Sequence, residues 1–241
     1  MVEVKLTVSA VMAEYNSEVY IGQAIDSIIS QLDSNDELII LDDGSTDGTK
    51  NIVLEYQTKY KNIRFYTNQK NYGVDYTMNR LFDLSAKDLI VVCDSDDISL
   101  PNRIEVVRKF FEENKDSDFL YHNAFVIDAK NNIISNSFFK IFHQKYNLIY
   151  NILYSTYYGT CFCFRRSFYL QNKIKFVRLI KLYPWDRVLG FMSRKKHSLK
   201  FLDSNLLKYR RYQNNISRKK KESIFKKIKK RIGHIKLYLQ C

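Results

Sequence analysis

The chain has 241 residues, 45% of them hydrophobic and 27% charged, which suits one sizeable folded unit and excludes a disordered or fibrous chain. No window holds the run of about 18 apolar residues that a membrane span needs, and MVEVKLTVSAVM lacks a basic stretch leading into a long apolar one, so the chain reads as a cytosolic protein whose first segment is already structure. The formal charge of +13 is unevenly placed: residues 218–241 carry ten Lys or Arg and one Glu, so the body is only mildly basic and a nucleic-acid surface is not implied.

In chain order, residues 4–12 (VKLTVSAVM) are β-branched and apolar and predict a buried strand. Ser17 is a plausible cap for a helix with Tyr20, Ala24, Ile25, Ile28, Ile29 and Leu32 at helical spacing. ELIILDD (37–43) predicts a second strand, and the turn-forming GSTDGT leads to a helix through Ile52, Val53 and Tyr56. IRFYTN (63–68) is a third strand, residues 75–84 suit a helix, DLIVVCD (88–94) is a fourth strand, and Pro101 opens another helix. This alternation predicts an α/β fold with a mostly parallel sheet flanked by helices and a binding site outside the carboxyl ends of the strands. Both aspartate clusters, Asp42/Asp43 and Asp94/Asp96/Asp97, fall at such ends.

After about residue 118 the pattern changes. DFLYHNAFVIDAKNNIISNSF reads as strands around a DAKNN turn, and an aromatic α+β segment follows. We divide the chain into a first half, residues 1–105, a second half of the same domain, residues 106–217, and a basic tail, 218–241. Cys93, Cys161, Cys163 and Cys241 lack paired zinc-ligand spacing and read as small buried hydrophobes, with Cys161 and Cys163 on one face of a strand. Arg80 and Arg103 read as surface salt-bridge partners, and His122 and His143 as core or surface residues.

Crowded carboxylates at one strand end repel unless a cation offsets them. A hard divalent ion, held by one or two carboxylates together with substrate phosphates, is one solution for D-S-D-D; a solvated acidic turn capping the next helix is the other. In LDDGSTDGT the Asp pair can accept hydrogen bonds from a base or ribose, or can serve the turn itself.

The motifs SAVMAEYNSEVYIGQAIDSI, LIILDDGSTDGT, NYGVDYTMNR and VVCDSDDISLPNR, in that order, resemble the nucleotide-binding half of family 2 glycosyltransferases with the GT-A fold. The resemblance continues through YYGTCFCFRRSF, YPWDRVLGF and KYRRYQNNIS, which look like the acceptor half of rhamnosyltransferase-like members that build surface polysaccharides. It implies an inverting transfer of sugar from a nucleoside diphosphate to a hydroxyl of a growing or lipid-linked glycan, assisted by Mn2+ or Mg2+. By motif position, Asp42 would contact the nucleobase, Asp94 the ribose or metal, and Asp96 the metal and diphosphate, with Asp43 and Asp97 supporting their loops. Tyr15 and Asn16 match a P-x-Y-N stretch near the base, with Ala13 where proline is usual. Asp186 occupies the general-base position; by spacing alone it is equally an ordinary first-turn acid facing a helix dipole. Gly159 and Thr160 would line the acceptor site, and Trp185 either packs under the acceptor or belongs to the core. Arg210 could steady the diphosphate, and Tyr212 stands where relatives place histidine.

Two other enzyme readings fit less well. A sugar-1-phosphate nucleotidyltransferase needs an early glycine-rich loop that SAVMAEYNS lacks, and a haloacid-dehalogenase-type phosphatase needs its nucleophilic aspartate after the first strand. A non-catalytic nucleotide-sugar or membrane-binding module is the alternative from another class. In the tail, Phe225, Ile228, Ile232, Ile235 and Leu239 recur at helical spacing among lysines, interrupted by Gly233. Such a basic amphipathic helix suits an anionic membrane surface at the inner face of the cell membrane, or packing on the protein's own body. It carries no interleaved stacking aromatics for nucleic acid.

Overall fold

The computed structural model describes residues 5–154, 157–212 and 223–241. The QNNIS end of KYRRYQNNIS and the first residues of the basic tail, 218–222, lie outside the described residues, as does residue 4 of the first expected strand.

The first half alternates as the sequence predicts: β1 (Val8–Glu14), α1 (Ile21–Ile29), β2 (Glu37–Asp42), α2 (Thr49–Lys59), β3 (Ile63–Thr67), α3 (Val74–Leu84) and β4 (Leu89–Asp94). β3, β2, β1 and β4 lie side by side in that order, all parallel. Side chains alternate across a strand, so Ile39 and Leu41 enter one apolar core while Leu38 and Ile40 enter another on the opposite face. Burial on both faces is why these strands read as unbroken apolar runs. α1 starts later than Ser17 suggests: Ser17 accepts the amides of Tyr20 and Ile21 through its carbonyl, and its hydroxyl goes to Glu14 instead.

The second half holds β5 (Ile98–Ser99), α4 (Arg103–Glu113), β6 (Phe119–Ile127), β7 (Ile133–Ser135), α5 (Phe138–Ile141), α6 (Leu148–Tyr154), β8 (Phe162–Arg165), α7 (Arg166–Leu179), α8 (Trp185–Lys195), β9 (Leu199–Arg210) and α9 (Ile224–Gln240). β8 joins β4 antiparallel, β6 joins β8 antiparallel, and β9 runs parallel to β6, so the two halves share one sheet. β6 and β7 form the hairpin expected around DAKNN, where Asp128 accepts the amides of Lys130 and Asn132. The short β5, which the sequence reading missed, intervenes between the Asp cluster and α4 and pairs with Leu207 and Lys208 of β9.

All four cysteines are free and buried. Cys161 and Cys163, however, enter opposite cores, because a 3-10 turn over Gly159–Cys161 breaks the strand register between them. His122 is a core residue whose ring Nδ1–H donates to its neighbour's carbonyl at Asn123. Arg103 is no surface ion-pair partner: it is fully buried and donates to the carbonyls of Val92 and Thr160, tying the fourth strand to the second half of the chain. Arg80 is likewise held internally, by Asn68.

Among the described residues no helix is long and apolar enough to cross a membrane. α9 runs unbroken through Gly233 and packs on α6 and α8. Its body-facing residues are His234, Leu237 and Cys241, not the apolar stripe that the sequence reading singled out.

Candidate active site

The parallel register gathers the carboxyl ends of β1, β2 and β4 on one edge. Ala13 stands between Leu41 and Asp94, and Glu14 stands beside Asp42. The strand order reverses between β1 and β4, because β2 and β3 continue on one side of β1 and β4 lies on the other. A crevice at such a switch point is where open α/β sheets bind ligands.

On the β2 side, the carboxylates are tied to their own loops. Asp43 accepts the amides of Tyr72 and Gly73 and the Asn68 side chain. Asp42 accepts the Ser45 amide at 2.8 Å. Asn16, at φ +50°, takes the Thr46 amide on its side-chain oxygen and gives its own amide to Ser45, so it positions the loop. Tyr15 is exposed and free to offer its ring face. Gly44, at φ +82°, lies so close to Lys70 and Asn71 that an added Cβ would approach their backbone to 2.8 Å.

Glu14 is a site residue that sequence reasoning missed. Its buried carboxyl faces Asp42, and Ser17 and Ser45 donate to its other oxygen. Burial, with the adjacent Asp42 carboxyl, pushes Glu14 up to about 8. The visible signal was a charged residue closing an apolar strand in VMAEYN.

At the end of β4, Asp94, Asp96 and Asp97 bring carboxylate oxygens within 4.8 Å of one another. Burial and the Asp96 charge push Asp94 up to about 7. Burial also raises Asp96, against a hydrogen bond from Tyr212. Asp97 rises well above the carboxylate range, through burial and both neighbours. Asp97 is spoken for: it accepts the Thr160 hydroxyl at 2.6 Å and the Arg210 amide at 2.8 Å. Asp94 and Asp96 remain as an all-oxygen pair whose mutual repulsion a hard divalent cation would relieve, so these residues fit Mg2+ or Mn2+.

The structure corrects the expected role of Arg210. It is buried, with Nε on the Asp96 carbonyl, Nη1 on Asn131 and Nη2 on Gln23, and its guanidinium lies 4.4 Å from the Tyr20 ring centroid. A guanidinium so engaged shapes the Asp96 loop and does not reach out to a diphosphate. Tyr212 packs against Tyr20 and donates to Asp96, the one bond a tyrosine can offer there.

Asp186 lies in the first turn of α8, partly exposed, with one oxygen on the Arg187 amide at 2.7 Å. Burial pushes it up to about 6, against the Arg187 cation. Its charge reaches Asp94, which brings the two motifs together in one site. The α8 amino end is held by Asp75, a second residue that sequence reasoning missed: the carboxylate of this NYGVDY residue accepts the Trp185 amide at 2.7 Å. An acid in the first turn of α3 is too ordinary to have marked it.

Trp185 itself is core. Its indole packs edge-on to Phe82 and Phe162, and a Cβ on Gly159 would lie 2.1 Å from the ring. Gly159 and Thr160 are buried too, the first making room for Trp185 and the second bound to Asp97. All three residues are buried in the second half.

The family model for Glycosyl transferase family 2 matches residues 9–171, more than half of the chain. The chain belongs to glycosyl transferase family 2. The sugar-1-phosphate nucleotidyltransferase and phosphatase readings fall with that membership. An uncharacterized glycosyltransferase of Methanocaldococcus jannaschii is 30% identical over 92% of this chain and 77% of its own length. A UDP-Gal:alpha-D-GlcNAc-diphosphoundecaprenol beta-1,3-galactosyltransferase of Escherichia coli is 33% identical over 46% of this chain and 42% of its own. The chain thus spans most of the archaeal relative and less than half of the bacterial one. Among solved structures, S. aureus TarS in complex with UDP-GlcNAc superposes with a TM-score of 0.68 at 19% identity, covering 87% of this chain and 60% of that one. A mannosyltransferase of Pyrobaculum calidifontis, in complex with GDP-Man and Mn2+, gives 0.59 at 14% identity over 82% of this chain and 54% of its own. At such identities these two establish the GT-A type of fold alone.

Proposed function

We propose that this family 2 member is an inverting glycosyltransferase that moves a sugar from a nucleoside diphosphate to a hydroxyl of a lipid-linked glycan, at the cytoplasmic face of a membrane, in the building of a surface polysaccharide. The observation that carries the reading is the pairing of two unequal sets of acids at one crevice: Asp94 and Asp96, whose carboxylate oxygens lie within 4.8 Å of each other, and Asp186 on a separate helix within electrostatic reach. Mg2+ or Mn2+, held by Asp96 and Asp94, would supply positive charge against the departing diphosphate. Tyr15 and Asp42 at the β1 and β2 ends take the nucleobase, and Asn16 and Asp43 keep their loops in place. Asp186 accepts the proton of the acceptor hydroxyl, whose oxygen attacks the anomeric carbon from the face opposite the diphosphate, so configuration inverts. Partial burial makes Asp186 a stronger base than a solvated carboxylate while leaving it mostly ionised at neutral pH.

The lipid-linked acceptor is supported by the E. coli relative, whose name specifies a diphosphoundecaprenol-linked substrate. The test is a thermal-shift screen against nucleoside diphosphates and their sugars, with and without manganese, followed by a product assay with the donor that binds. A manganese-dependent shift and a glycosylated product are expected. Donor binding that ignores the metal, or binding without turnover on any glycan acceptor, would overturn the reading.

A further inference from the structure

The body of the protein uses the wrong face of α9, if that helix were only structural. Leu237 is fully buried, His234 gives its ring nitrogen to the Ile152 carbonyl at 2.8 Å, and Lys195 and Lys175 reach the carbonyls of Leu239 and Cys241 at its end. Ile228, Ile232 and Ile235 are meanwhile 46 to 48% exposed and Leu239 70%. Their spacing of four, three and four residues puts them on one continuous stripe. α6, which takes Arg231 on the Leu153 carbonyl, adds exposed Ile149 and Leu153 beside it.

We infer that α9 lies on an anionic lipid surface, its isoleucine stripe entering the acyl boundary while the opposite face stays fixed to the enzyme. Charge decides the occupant. Residues 223–241 hold six Lys or Arg and no acid. At helical periodicity Lys229 and Lys236 flank the stripe on one edge and Arg231 on the other. A second copy docking stripe to stripe would set these cations against their equivalents, because a two-fold interface pairs a patch with itself. Anionic headgroups answer them instead, at about fivefold in affinity per lysine brought to the surface. An apolar stripe with a basic border is the composition of an interfacial helix. The inference does not depend on the proposed reaction, since the stripe touches no residue of the site.

The test is flotation of the full chain with vesicles of phosphatidylglycerol and phosphatidylcholine, against phosphatidylcholine alone. Binding to the anionic vesicles, weakened at least about tenfold by the double variant Ile232→Glu/Leu239→Glu and by Lys229→Gln/Lys236→Gln, is expected. Both pairs are exposed, so circular dichroism and the thermal midpoint should not change, and donor binding should persist in both variants. Equal flotation of wild type and variants, equal binding to neutral vesicles, or no binding would overturn the inference. So would a dimer in light scattering without lipid that the Ile232→Glu/Leu239→Glu variant dissolves, which would give the stripe to a second copy. Loss of turnover with flotation intact would count against the reaction and leave the lipid surface standing.

Discussion

The two aspartate clusters look alike in the sequence and differ in the structure. At the end of β2, Asp43 takes two backbone amides and an asparagine side chain, and Asp42 faces the raised Glu14 carboxyl and holds the Ser45 amide. At the end of β4, Asp97 is consumed in the same way by Thr160 and Arg210, while Asp94 and Asp96 repel each other and are raised by burial. Identical side chains thus serve as loop fasteners where backbone N–H donors converge, and as a close acidic pair that fits a hard cation where they do not. The difference lies in the donors around each carboxylate, which makes it breakable by substitution.

The largest effects should come from Asp96 and Asp186. Asp96→Ala should remove metal-dependent donor binding in calorimetry and lower turnover by about a thousandfold or more, as loss of the charge stabiliser would. Its thermal midpoint without metal should hold or rise, because a buried repulsion is relieved. A drop in stability would place Asp96 with the fasteners. Asp186→Asn should cost about 10²–10⁴ in transfer rate with donor affinity within a few-fold. In the native enzyme the rate should fall as pH drops through about 6, where Asp186 becomes protonated. The variant should lose that limb, and a retained limb would assign the titration elsewhere.

A fastener should behave in the opposite way. Asp43→Ala removes the acceptor of the Tyr72 and Gly73 amides and of the buried Asn68 side chain, so stability should fall by about 2–4 kcal/mol, read from urea denaturation. Near-native stability with abolished donor binding would break the comparison, by showing that Asp43 belongs to the ligand.

The parallel half was legible because burial on both faces writes unbroken apolar runs, and Asp and Gly punctuate the strand ends. The acceptor half was less so. β5 has only two residues and exists because β9 offers it partners more than a hundred positions away. Arg210 and Trp185 show the same limit: an arginine near a phosphate motif and a tryptophan beside a base both suggest ligand contact. Their burial is set by Gln23, Asn131, Phe82 and Gly159, which no local window contains. The stripe on α9 was legible as a pattern, but which face meets the body was decided by α6 and α8.

A smaller effect would sharpen the division where the two halves meet. Asp75 fastens α8 through the Trp185 amide, yet its charge also raises Asp186. Asp75→Asn keeps an acceptor oxygen for that amide and removes the charge. The apparent base pKa should therefore fall and the acidic limb of the pH–rate profile should move to lower pH, with the rate at neutral pH changed only a few-fold. An unmoved limb would make Asp75 a fastener and nothing more.

The smallest expected effect concerns the proton between Glu14 and Asp42. Glu14 titrates near 4.5 when unfolded and is raised to about 8 in the fold, so between those values the folded state binds the extra proton. Its contribution is therefore fully present below pH 4.5 and is lost as pH rises through about 8. Glu14→Gln fixes a neutral side chain that can still donate to Asp42. The variant should match the native midpoint at the acid end of that window and show a flatter decline toward its alkaline end, in thermal melts across the range. If the native protein and the variant decline in parallel, the two acids do not share a proton, and Asp42 would meet the nucleobase without a neutral neighbour behind it.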